Sequence, residues 1–266
     1  MPRFDPTQLR RTILEMAYHG STVHIACAFS LVEILATLYR SHVRLDTDDP
    51  RAAARDYLVL SKGHGVMAQY ACLHELGWIN DDDLRRYFAD GTRLKGLSDA
   101  HVPGCEVTSG SLGHGLSVGV GLALAARRRG SDQRCFAIVG DGELNEGSIW
   151  EALMFAAHHR LSNLTVIVDE NGFQAMGRVR EVMDLGRIAA KLTAFGLETR
   201  EVDGHDEAAL DQALGELARC PSSAPRAVVA RTIKGRGVSF MEDDNRWHYT
   251  RLTPETYARA LAELSR

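Results

Sequence analysis

The stretch CFAIVGDGELNEGSIWEALMFAAHHRLSNLTVIVDENG, residues 135–172, decides the fold. Residues 135–139 form an unbroken apolar run of strand length, and Gly140, Asp141 and Gly142 break it sharply. Residues 148–159 then read as a helix, and residues 164–168 as the next buried strand. Strand, tight turn, helix, strand is the unit that builds a mostly parallel sheet with helices on its faces. The fold class read from the sequence is therefore α/β.

The flanks agree with that unit. Downstream, residues 227–232 read as a further strand and 252–264 as a closing helix, opened by Thr253 at the N-cap and Pro254 at the first helical position. Upstream, residues 57–60 read as a strand running into the loop Ser61-Lys62-Gly63-His64-Gly65 and then a helix. A second loop-to-helix passage, rich in small residues, covers 113–128. Residues 7–38 begin helically, with Leu9, Ile13, Leu14 and Ala17 near one face, and break around Gly20, Ser21 and Thr22. They resume at Ser30, which with Glu33 has the spacing of a capping box. No repeat, low-complexity stretch or long linker divides the 266 residues, so one continuous domain, 1–266, is expected.

Composition narrows the function classes. Hydrophobic residues make up 45% and charged residues 25%, the balance of a soluble globular protein. With 31 Lys+Arg against 35 Asp+Glu the net charge is -4, so nucleic acid is not expected as a partner. No apolar run approaches the roughly 18 to 20 residues that span a bilayer, so no membrane partner is expected. Arg10, Arg11 and Glu15 interrupt any leader-like core, which points to the cytoplasm. Cys27, Cys72, Cys105, Cys135 and Cys220 are scattered without a CxxC pair, against a disulfide framework or structural zinc.

Ligands of open parallel sheets sit outside the carboxyl ends of the strands. Asp141 and Asn171 occupy two such ends, separated by one crossover helix. A lone GDG or Asn-Gly is most often only a turn. If the two strands are neighbours, however, these side chains converge on one crevice. Two oxygen donors suit a hard cation such as magnesium, which completes its shell with phosphate and water. The glycines beside Asp141 let a diphosphate approach backbone N–H groups and the helix N-terminus that follows.

These residues resemble a known family. GDGELNEGSIWEALMFAAHHRLSNLTVIVDENGFQ, residues 140–174, resembles the thiamine diphosphate motif. LSKGHG at 60–65, TSGSLGHGLSVGVGLALA at 108–125 and KGRGVSFMEDDNRWHY at 234–249 are similar to blocks of transketolase, in the same order. The resemblance runs from about residue 7 to 260 and matches the first of the three transketolase domains, the one that holds the diphosphate. It implies the N-terminal subunit of a split transketolase.

That resemblance implies a site residue by residue. Asp141 and Asn171 would bind magnesium, for which calcium or manganese can substitute in the family, with the Phe173 carbonyl as third ligand. Gly142 would offer its N–H to the diphosphate, beside Gly140, and Gly110 and Leu112 would lie beneath the aminopyrimidine. His64 and His248 would stand at the diphosphate and reaction centre, and His24 and His101 along the substrate channel. Glu146 would lie at a subunit interface, coupling neighbouring sites. The sequence departs from the family where His-Pro-Gly reads His24-Ile25-Ala26 and where the loop at His101 is shorter. His114 fits either the site or a turn, and His158 and His159 the surface. His19, His42, His74 and His205 fall in no motif and read as structural.

The activity implied is transfer of a two-carbon ketol unit from a ketose or its phosphate to an aldose acceptor. The family's pyrimidine-binding and C-terminal domains do not fit within 266 residues, so a separate subunit would supply them, as an α2β2 assembly. Apolar side chains at Ile149, Trp150, Leu153 and Met154 mark 146–155 as a candidate interface. Two other readings stay open: the α-type subunit of a 2-oxoacid dehydrogenase or decarboxylase, and a noncatalytic assembly protein that retains the fold.

Overall fold

The computed structural model describes residues 2–20 and 23–265. Its centre is a five-stranded sheet of β1 (Tyr57–Leu60), β2 (Cys135–Gly140), β3 (Leu164–Glu170), β6 (Glu198–Asp203) and β7 (Arg226–Arg231). The strand order is β1-β2-β3-β7-β6, and every pairing is parallel. A two-residue antiparallel ribbon, β4 (Phe173–Gln174) with β5 (Gly177–Arg178), follows β3.

The central strands are mostly apolar along their middles because both sheet faces are covered. Side chains alternate between two core clusters with the period of the pleat. Leu58, Phe136, Ile138, Ile167 and Val228 enter one cluster with α1 (Pro6–His19), α3 (Val32–Thr37), α4 (Val66–Glu75) and α10 (Glu207–Arg219). Val59, Ala137, Val139, Val166, Val168 and Val229 enter the other with α6 (Gly115–Arg128), α7 (Gly147–His158) and α9 (Ile188–Ala194). Gly119 lets α6 lie close on the sheet: a Cβ there would stand 3.4 Å from Ala137 and from the Cys135 sulfur.

Three features differ from the sequence reading. The strand β6, ETREVD, carries no apolar run; it is an edge strand, half-buried, and its pairing with β7 alone makes it a strand. The capping box at Ser30 and Glu33 does not form. Leu31 is the N-cap of α3, the Ser30 hydroxyl, 3.1 Å from Cys27 O, donates to Asp169 at 2.6 Å, and Glu33 is taken by Arg10 and His205. Of the expected interface residues, Ile149 and Leu153 are core, and Trp150 is half-buried against Phe195. Met154, 54% exposed, and the neighbouring Phe155 remain outside. Thr253 and Pro254 do open the last helix, α11 (Pro254–Glu263). Gly20 closes α1, whereas Ser21 and Thr22 of the expected break lie outside the described residues.

Candidate active site

β2 and β3 end in register, Gly140 beside Asp169, so Asp141 and Asn171 leave the sheet side by side. Asp141 is 2% exposed, and its carboxylate accepts the N–H groups of Gly172 at 2.6 Å and Gly142 at 2.8 Å. Asn171 accepts the Phe173 N–H on Oδ1 at 3.0 Å and donates from Nδ2 to Asp169 at 3.2 Å. The Phe173 carbonyl faces Gly142, 3.7 Å from where a Cβ on that residue would stand. Burial, and then the charge of Asp169, push the Asp141 carboxyl up to about 7. A buried carboxylate destabilised in this way, beside amide and carbonyl oxygens, fits a hard divalent cation, which would relieve the repulsion. Among the described residues no group of three or more His, Cys, Asp or Glu offers a competing metal cluster.

Beneath these residues lies a buried polar floor that the sequence reading left unassigned. Lys62 pairs with Asp169, which also accepts hydrogen bonds from the Thr232 hydroxyl and, at 2.6 Å, from Ser30. Burial opposes the charge on Asp169, but Lys62 and these hydrogen bonds outweigh it and hold the carboxyl below its usual range. Glu143 is likewise buried; it accepts the Ser61 hydroxyl at 2.5 Å and the N–H groups of Gly113 at 2.9 Å and Gly140 at 3.2 Å. Burial raises its carboxyl. One side chain thus ties the loops after β1 and β2 to the start of α6.

Three histidines meet above this floor. The His24 ring lies 4.5 Å from His64 and 5.2 Å from His248, centroid to centroid, with Tyr249 at 4.6 Å. An isolated bridge brings them together, Val23 N–H to Thr250 O at 2.8 Å and Thr250 N–H to Val23 O at 3.1 Å. The buried Lys234 donates to His248 Nδ1 at 2.8 Å and to Asn245 Oδ1 at 2.7 Å. Burial, then His64 and His248, lower His24 to about 3; burial, then Lys234 and His64, lower His248 to about 4. Burial, then Lys62, lower His64 as well. Both His24 and His248 are neutral at pH 7, and Lys234 leaves Nε2 as the His248 donor.

A second buried set holds the segment that carries Lys234. Glu33 accepts from Arg10 at 2.7 and 2.9 Å and from His205 Nδ1 at 2.9 Å. His205 Nε2 in turn accepts the Ile233 N–H at 2.8 Å, and Arg10 donates to Arg236 O at 2.8 Å. Both ring nitrogens of His205, which falls in no motif, are thus engaged within the fold.

A cavity of about 270 Å³ collects His64, Gly110, Leu112, Gly140, Asp141, Gly142, Asn171, Phe173 and His248. His24 lines an adjoining cavity of about 280 Å³ that shares His64. Two expected residues enter neither. His101 is 91% exposed at its side chain and paired with Asp99 at 2.7 Å. Its loop folds back on itself, through Ser109 N–H to Ser98 O at 3.1 Å and Ser98 Oγ to Val107 O at 3.0 Å, which turns His101 outward and Leu97 inward. Glu146 is exposed at the N-cap of α7. His114, at the N-cap of α6, is exposed and lines neither cavity. A larger groove, about 1190 Å³, runs between α1 and α4 and contains none of these residues. The missed residues Lys62, Asp169 and Lys234 had one signal: each is a charge placed within a few residues of the end of an apolar strand.

Comparison with known proteins gives a consistent picture. Residues 9–263 match the family described as transketolase, thiamine diphosphate binding domain. The chain is 37% identical over 256 residues to an apulose-4-phosphate transketolase subunit of Phocaeicola vulgatus, covering 96% of this chain and 91% of that protein. It is 37% identical over 259 residues to a 6-deoxy-6-sulfo-D-fructose transketolase subunit of a Clostridium species, covering 97% and 94%. The solved transketolase of Leishmania mexicana superposes with a TM-score of 0.91 at 31% identity, over 98% of this chain but 41% of that one. The transketolase of Campylobacter jejuni gives 0.90 at 26% identity, over 98% and 42%. The chain thus spans about two fifths of the solved transketolases and nearly the whole of the separate subunits.

Proposed function

The chain belongs to the transketolase family, matching its thiamine diphosphate-binding domain, and on that premise we propose that it is one half of a split transketolase. The complex would move a two-carbon ketol unit from a ketose or ketose phosphate to an aldose acceptor. The observation that carries this reading is the single cavity that gathers Asp141, Asn171, the Phe173 carbonyl, His64 and His248. When bound there, thiamine diphosphate supplies the electron sink that makes carbon–carbon cleavage beside a carbonyl possible.

The remaining work falls to this chain's own residues. Asp141, Asn171 and the Phe173 carbonyl would hold magnesium, or calcium or manganese in its place. Gly142 N–H, now turned onto Asp141, would serve the diphosphate, with Gly140 leaving the approach open. Gly110 and Leu112 would line the pyrimidine side. Because burial keeps His24 and His248 neutral, they can give hydrogen bonds to sugar oxygens and take protons back without carrying a standing charge. Lys234 holds the His248 tautomer for that role. His101 would need a partner surface to be drawn toward the channel.

A separate subunit would bring the pyrimidine-binding and C-terminal domains, as α2β2. α6 and α7 pack together, and Val118 on the first and Met154 and Phe155 on the second are exposed apolar side chains, which suits a subunit contact. A cytoplasmic setting is consistent with five free cysteines. Among the described residues no helix is long and apolar enough to cross a membrane. The test is to recover the tagged chain from its host with magnesium and thiamine diphosphate, record a native mass spectrum, and assay the assembly for ketol transfer. A second polypeptide with cofactor and transfer activity is expected. Full transfer by the chain alone would overturn the split-enzyme reading, and a cofactor-free assembly would overturn the assignment of Asp141 and Asn171.

A further inference from the structure

The cavity beside His24 and His64 has an unusual wall for a sugar-handling site. Apart from those two histidines and Lys95, it is closed by Val23, Phe88, Leu97 and Tyr249. Lys95 Nζ gives one of its three donors to Thr92 O at 2.6 Å. Leu97 stands between the two cavities: it lines this one, and a Cβ on Gly110, which lines the other, would meet its Cδ1 at 2.6 Å. Phe88 is held at φ 58°, a left-handed conformation that a bulky aromatic rarely adopts. Its N–H donates to Leu94 O at 3.1 Å, and its ring packs on Gly96, where a Cβ would come within 2.9 Å. The same loop buries Tyr87 and Leu94 in the core, yet Phe88 and Leu97 remain 39% and 38% exposed, so these two side chains do not serve core burial. Strain of that kind persists where the surroundings over-determine it, commonly at ligand sites.

Resting on the ketol-transfer reading above, we propose that this second cavity is the subsite for the aldehyde acceptor's carbon chain, and that Leu97 and Phe88 select an acceptor bearing a methyl or methylene where an ordinary aldose carries a hydroxyl. A hydroxyl set against the Leu97 and Phe88 side chains gives up its water and finds no partner on either of them. Among the described residues the polar side chains of the cavity are His24 and His64, toward the cofactor cavity, Lys95, with one of its three donors on Thr92 O, and Tyr249, which is largely open to solvent. A carbon without that hydroxyl loses nothing on entry and gains apolar contact. The selectivity of such a wall is of the order of 10- to 100-fold between acceptors that differ by one hydroxyl.

The test uses the chain with its partner subunit, thiamine diphosphate, magnesium and a saturating ketose donor. kcat/KM is measured for D-glyceraldehyde, its 2-deoxy analogue 3-hydroxypropanal, and its 3-deoxy analogue lactaldehyde. One deoxy aldehyde is expected to exceed glyceraldehyde by about 10-fold or more, chiefly through KM, and Leu97→Asn is expected to erase that preference. Saturation-transfer NMR of the same complex with propane-1,2-diol should show enhancement at the methyl group, weaker in Leu97→Asn. Transfer with no preference among the three aldehydes, or a wild-type preference for glyceraldehyde, would overturn this inference and leave the ketol-transfer reading standing. Failure of Leu97→Asn to assemble with the partner would instead assign this wall to subunit docking. No transfer to any acceptor would overturn both readings.

Discussion

At the floor of the cleft, the buried Lys62, Asp169 and Ser30, with the half-buried Thr232, form a set in which each charge has a partner. At its mouth the side chains of Phe88, Leu97 and Tyr249 stand partly open to solvent. The floor draws on segments scattered along the chain, Lys62 and Asp169 being 107 residues apart, whereas Phe88 and Leu97 belong to one short loop. A charge buried by several elements cannot be changed without disturbing all of them. Phe88 and Leu97 are exposed side chains on a loop anchored by the buried Tyr87 and Leu94, so they can be changed with small effect on the fold. The floor is therefore where chemistry common to the family is expected to sit, and the mouth where a choice of substrate is expected to be made.

The sharpest way to break this comparison is Lys62→Met, which leaves Asp169 buried and unpaired. Unfolding in urea should show a loss of about 3–5 kcal/mol, and adding Asp169→Leu should recover most of it. A loss below about 1 kcal/mol would mean that the floor is no more demanding than the mouth. Next in size, Asp141→Asn should weaken retention of magnesium and thiamine diphosphate by the assembled enzyme on the order of 100-fold or more, read by titration calorimetry. The metal-free chain should keep its stability, because the substitution removes repulsion with Asp169.

Mild acid should act on the histidine layer between floor and mouth. His24 and His248, held at about 3 and 4, stay neutral in the fold, while in the unfolded chain they titrate near 6.5. The unfolded state then binds more protons between about pH 6.5 and 4, so stability present above that window is lost as pH falls through it. Allowing for solvent reaching the rings, the loss should be about 2 kcal/mol, and His24→Asn should flatten the slope. The smallest expected effect is Phe88→Gly at the mouth. Relief of the left-handed backbone offsets the lost ring contacts, so thermal denaturation should show a change under about 1 kcal/mol while acceptor use changes.

Much of the fold was legible because it rests on local patterns. Residues 135–139, and 164–168 apart from Thr165, are apolar without alternation, which is what a strand covered on both faces requires. The edge strand β6 was not legible, since its polar sequence becomes a strand only through β7. Within the site, Asp141, Asn171, His64 and His248 were legible from motif and strand end, and they line one cavity. Lys62 and Lys234 lay inside family-like motifs but gave no sign of the partners that would make them matter. His101 had a motif's neighbourhood without its geometry, and Leu97 took the inward position.

The sequence by itself determined the alternation of strands and helices, the glycine break after β2, and the oxygen donors at two strand ends, because each depends on residues within a few positions of one another. The tertiary structure alone decided which charges are buried together, which ring nitrogen Lys234 holds, and which residue of the loop before Ser109 faces the histidines. Those outcomes depend on contacts between distant segments, whose burial and hydrogen bonding are settled only when the sheet has assembled and the loops have packed onto its end.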